Sequence, residues 1–172
     1  DLAPAFDNFT HLPAAVLARP IDTFRSQYVL NKGAEDGVTL GAPVVVGGSI
    51  LIGFVTELSN ETSVVQLVLH PDTSLTAQAG EAEGDTVLAR GLVEGAHYTS
   101  VALTTVPRDA VLDEGMPVVT VARDDALPFG LVIGEVESIE SQESEAYQRA
   151  TLRLPYDPDE IDAVTILTQR RR

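Results

Sequence analysis

Nucleophilic and metal chemistry need side chains that converge, and this chain offers few candidates. The three histidines, His11, His70 and His97, are dispersed, with no pair at metal-ligand spacing and no cysteine to complete a site. The absence of cysteine also removes disulfides and thiol catalysis. His70-Pro71-Asp72 sets an imidazole near a carboxylate, but Pro-Asp after an apolar run reads as a strand-ending turn. A serine nucleophile would sit on a glycine-rich turn beside an imidazole, and Gly47-Gly48-Ser49 is the candidate. It lacks a glycine after the serine, and a hairpin turn explains both of its glycines. Carboxylates are plentiful, yet the aromatic platforms of glycoside chemistry are scarce: there is no Trp, and aromatics are 5%. The acidic runs 135–145 and 157–162 read as solvated edges and loops, which also discourage sheet-to-sheet aggregation. No phosphate-cradling glycine loop occurs. The expectation is therefore no catalytic residue, no cofactor and no metal.

The elements that would have to position any site are strands. The chain has 172 residues, 44% hydrophobic and 22% charged, enough to bury a real core. From residue 14 onward, runs rich in Val, Leu, Ile and Thr alternate with Gly, Pro, Asp and Asn. The pattern predicts strands at 14–19, 27–31, 43–46, 50–58, 63–70 and 74–79, then 86–93, 99–106, 117–121, 131–139, 146–154 and 162–168. No stretch carries apolar positions at helical spacing, so little or no helix is expected. Asp36-Gly37 and Gly47-Gly48 are turn dipeptides that tolerate positive φ. Residues 1–13, with Pro4, Phe6, Phe9 and Pro13, read as a lead-in segment, and 169–172 as a basic tail. The net charge of −15 repels phosphate backbones and argues against nucleic-acid binding.

The chain also resembles itself. Gly41-Ala42-Pro43-Val44-Val45-Val46 matches Gly115-Met116-Pro117-Val118-Val119-Thr120 at an offset of 74. Ile52-Gly53-Phe54-Val55 matches Ile133-Gly134-Glu135-Val136 at an offset of 81, so a loop around Arg123-Asp124-Asp125-Ala126 is seven residues longer in the second copy. The fold class expected is all-β: two six-stranded β-barrel subdomains, 14–80 and 86–168, related by internal duplication, with the terminal strand free to cross over.

Several stretches occur in an informative order. Ala15-Val16-Leu17-Ala18-Arg19-Pro20 precedes Phe24, and Leu30-Asn31-Lys32-Gly33-Ala34-Glu35-Asp36-Gly37-Val38 leads to Gly41-Ala42-Pro43. Ile52-Gly53-Phe54-Val55, Val64-Val65-Gln66-Leu67 and Pro71-Asp72-Thr73-Ser74 follow. The second half adds Val93-Glu94-Gly95, Val111-Leu112-Asp113-Glu114-Gly115 and Leu127-Pro128-Phe129-Gly130 running into Gly134. In this order they resemble the MreC family of bacterial rod shape-determining proteins. The resemblance marks structural positions: Arg19, Gly33, Asp36, Gly37, Gly41, Pro43, Gly53, Gly115, Pro117, Gly130 and Gly134. It implies an extracytoplasmic piece, on the periplasmic or outer face of the membrane, that in the whole protein follows a membrane helix and a coiled coil. It further implies a non-enzymatic scaffold of cell-wall elongation that binds a class B penicillin-binding transpeptidase and works beside MreD, RodA and MreB. Self-association would run mainly through the coiled coil. No partner-binding residue is mapped. A double-barrel serine hydrolase-like enzyme and a generic extracellular ligand-binding or adhesion module stand as alternatives.

Overall fold

The computed structural model describes residues 8–19, 26–82, 89–96, 100–123, 126–142 and 144–169. Among them are twelve strands: β1 (Phe9–Ala18), β2 (Gln27–Leu30), β3 (Pro43–Val46), β4 (Ile50–Leu58), β5 (Ser63–Leu67), β6 (Ser74–Ala79), β7 (Arg90–Ala96), β8 (Ser100–Pro107), β9 (Pro117–Thr120), β10 (Val132–Glu140), β11 (Tyr147–Arg153) and β12 (Ala163–Gln169). The described helical content is one 3-10 turn, Ala34–Asp36.

The pairings close two rings of six. One runs β1-β2-β5-β4-β3-β12 and back to β1; the other runs β6-β7-β8-β11-β10-β9 and back to β6. A parallel pairing of Ile50 with Val132 joins them. The all-β expectation holds, but the division at 80–85 does not. β6 pairs with β7 and β9, both in the second ring. β12, the terminal strand that the sequence left free to cross over, lies between β1 and β3 in the first. Each half of the sequence thus gives its last strand to the other half's ring. Alternation patterns mark which face of a strand is buried; they do not say which neighbour it pairs with.

The lead-in segment is also corrected from residue 9. Phe9 is buried, and Phe9–Ala15 pair in register with Gln169–Ala163, so β1 starts inside the expected linker and Gln169 ends β12 rather than opening a tail. Pro13 is tolerated because this part of β1 has a described partner on one side only. Of the strand expected at 86–93, the described part from Arg90 belongs to β7, which continues to Ala96. Residues 1–7, 83–88 and 170–172 of these expectations lie outside the described residues.

Two apolar clusters fill the structure. The first lies within the first ring and includes Tyr28, Leu30, Val44, Ile52, Val65, Leu67 and Ile166. The second fills the other ring and extends to Phe9, Val45, Leu51 and Leu167 of the first. Adjacent residues on a strand face opposite ways. Val44 and Ile52 therefore point into their own ring, while Val45 and Leu51 point toward the other. This burial on both faces explains why Pro43-Val-Val-Val46 and Ile50-Leu-Ile52 show no alternation.

The self-similarity has a hydrogen-bonding counterpart. Gly41 N donates to Val55 O (2.8 Å) and Val55 N to Ala42 O (3.0 Å); Gly115 N donates to Val136 O (2.8 Å) and Val136 N to Met116 O (2.9 Å). Register shifts fall between Val55 and Glu57 on β4 and between Val136 and Ser138 on β10, again 81 residues apart. Such bulges bend a strand and let a small sheet close.

Candidate partner-binding groove and the marked turns

The marked positions are spread through the framework rather than gathered in one site. Asp36 Oδ2 accepts from Gly33 N (3.0 Å), which holds the 3-10 turn, and Gly37 ends it at φ 92°. Gly41, Gly115 and Gly130 also have positive φ. Pro43 and Pro117 open equivalent strands and pair with Phe54 and Glu135, respectively. Gly53 and Gly134 are needed for close approach: a Cβ at Gly53 would run into the Gln66 carbonyl, and one at Gly134 would stand 2.7 Å from Arg153 O.

Arg19 does more than close a strand. Its guanidinium donates to Ile161 O, lies 3.4 Å from Asp162 Oδ1 and sits 5.3 Å from the centre of the Tyr28 ring. Tyr28 in turn donates its hydroxyl hydrogen to Pro158 O. Burial pushes the Tyr28 hydroxyl up to about 12, against the lowering effect of Arg19. Burial pushes Tyr156 higher still, with Tyr28 adding to it. These groups fasten the β11–β12 connector over the first ring.

Ser49 O accepts from Val132 N (2.8 Å), so its turn bridges the two rings. His11 lies on β1, and His70 occupies the β5–β6 connector; His97 falls outside the described residues. The turn at His70-Pro71-Asp72 is present, with the imidazole rather than the carboxylate capping it: Asp72 N donates to His70 Nδ1 (3.0 Å). No group of three metal-ligating side chains converges among the described residues, and no described helix is long and apolar enough to cross a membrane.

A groove does run between the rings. Two clefts share Ser74, Leu75 and Arg123, one extending toward Leu92 and Leu127, the other toward Phe54 and Gln66. Phe54 comes from β4 of the first ring; Leu75 and Leu92 come from β6 and β7 of the second. Arg123 sits on the long β9–β10 hairpin, where its N donates to Leu127 O (3.0 Å). The buried Thr120 anchors that hairpin by donating to Pro128 O (2.7 Å) and accepting from Leu131 N (3.0 Å). The Arg123 guanidinium lies 5.9 Å from the Phe54 ring centre, within cation–π range. None of these residues stood out in the sequence as a site. The available signal was the seven-residue lengthening of the second hairpin, which breaks the repeat where Arg123 falls.

Two closed six-stranded rings, a framework of turn glycines and an inter-ring groove define a class of small all-β double-barrel modules. The barrel-core model of rod shape-determining protein MreC matches residues 16–168, and the chain belongs to that family. It is 27% identical over 171 residues to the cell shape-determining protein MreC of Listeria monocytogenes, covering 97% of this chain and 56% of that protein. The chain therefore spans about half the length of the curated relative it matches. It is similar to a solved structure of MreC from Listeria monocytogenes, with a TM-score of 0.81 and 26% identity, over 94% of this chain and 76% of that one. A complex between penicillin-binding protein PBP2 and MreC from Helicobacter pylori contains the same fold, with a TM-score of 0.72 and 17% identity over 95% of this chain and 99% of that one. The family is one of shape-determining structural proteins, not of enzymes.

Proposed function

We propose that this chain is the extracytoplasmic partner-binding module of a cell-wall elongation scaffold, and that its partner is a class B penicillin-binding transpeptidase. The observation that carries the reading is membership of the shape-determining family together with a fold shared by the MreC of a PBP2 complex. The net charge of −15 supports a protein partner over nucleic acid or an anionic membrane surface. In the whole protein the module would act beside MreD, RodA and MreB, anchored to the membrane and self-associating through a coiled coil. The matched hydrogen bonds and bulges favour an internal duplication, with β1–β6 and β7–β12 as its two copies. The marked residues Arg19, Gly33, Asp36, Gly37, Gly41, Pro43, Gly53, Gly115, Pro117, Gly130 and Gly134 serve that framework and leave recognition to the surface. The test is a calorimetric titration against the periplasmic part of the cognate transpeptidase at physiological salt. Binding near micromolar, about −8 kcal/mol, is expected once the avidity of the anchored protein is lost. No heat at high micromolar concentration counts against the reading.

A further inference from the structure

The inter-ring groove lies where the two copies of the repeat differ most. The β3–β4 hairpin turns tightly at Gly47-Gly48, whereas its counterpart is seven residues longer and carries Arg123 to the Phe54 ring. Two other described arginines pair with carboxylates of this chain: Arg19 reaches Asp162, and Arg153 reaches Glu135 and Glu137. Arg123 has no ion pair with a described residue, although the chain holds 26 acidic side chains. An exposed guanidinium beside an aromatic ring, in clefts also lined by the half-buried Leu92, suits a carboxylate flanked by apolar side chains. The groove continues through both clefts, which fits an extended segment better than a compact ligand. The negative charge of the chain requires the rest of that segment's surface to be neutral or basic.

We propose that this groove holds an extended segment of the partner protein, with one carboxylate on Arg123 and apolar side chains against Phe54 and Leu92. The proposal rests on the transpeptidase-scaffold reading. Its test compares the wild-type chain with Arg123→Glu and Ser74→Trp, the second filling the groove from an exposed position. Arg153→Ala, outside the groove, is the control. Titrated against the periplasmic part of the cognate transpeptidase, both groove variants should bind at least about tenfold more weakly and the control within about twofold. A photo-crosslinker at the exposed Thr76 should capture the transpeptidase, and one at the exposed Thr10 should not; this arm needs no destabilising change. Groove variants that bind like wild type, or equal capture from both positions, overturn the groove and leave the scaffold reading standing. Absence of wild-type binding removes both. Self-association that Arg123→Glu abolishes would make the occupant a second copy of this chain and overturn the proposal.

Discussion

Gly37 stands at φ 92° and ψ 9°, and a Cβ there would meet nothing within 4 Å. The cost of replacing it is therefore backbone strain alone. Gly37→Val should lose about 1–3 kcal/mol in denaturant unfolding, and Gly37→Asn distinctly less, because Asn tolerates the left-handed region. Gly53 and Gly134 present the opposite case, with ordinary backbone but no room. A Cβ at Gly53 collides with backbone of β5, while at Gly134 the nearest atom, Arg153 O, is 2.7 Å away. Gly53→Ala should cost about 3 kcal/mol or more and Gly134→Ala about 1–2 kcal/mol, the usual range for overpacking. Equal melting temperatures for the two variants would contradict this ordering.

At the scale of elements, the β11–β12 connector deserves a chemical test because it fastens the crossing strand. Tyr28 is fully buried and its hydroxyl is held up to about 12. Below about pH 10 the folded and unfolded chains both keep the phenol proton, so its contribution to stability is complete. Above that pH the unfolded chain releases the proton first, and stability falls as pH rises toward 12. Tyr28 alone should cost on the order of 2–3 kcal/mol across that window, with Tyr156 adding in the same direction. Urea midpoints at pH 9 and pH 11.5 measure the loss. Tyr156→Phe should shrink it. The same change should be neutral or stabilising at pH 7, because the buried Tyr156 hydroxyl has no hydrogen-bond partner among the described residues.

For the whole molecule, exchange of β6 and β12 makes each half dependent on the other. A cut after residue 80 leaves the first ring without β12 and the second without β6. Neither fragment should fold alone, and an equimolar mixture should recover the β-sheet circular dichroism signal with concentration-dependent stability. Two independently folding halves would refute the exchange. The shared apolar layer of Val45, Leu51 and Leu167 against the second core argues for cooperative unfolding of both rings.

Local chemistry was legible in the sequence because it acts over a few residues. Apolar β-branched runs between turn residues located the twelve strands, with β1 and β7 displaced, and the paired offsets of 74 and 81 anticipated the matched bonds of Gly41 and Gly115. The family was readable for the same reason, since its motifs are short turn-and-strand stretches that follow one another along this one chain. The transfer of β6 was not legible, and the crossing of the terminal strand was open rather than fixed: Ser74–Ala79 and Ala163–Gln169 look the same whichever ring accepts them, and only long-range pairing decides. Phe9 read as linker because its burial depends on β12, more than 150 residues away in sequence. The groove was hidden likewise. Phe54, Leu75 and Arg123 are ordinary residues of a strand, a strand and a loop, and they become neighbours only when two closed rings pack side by side.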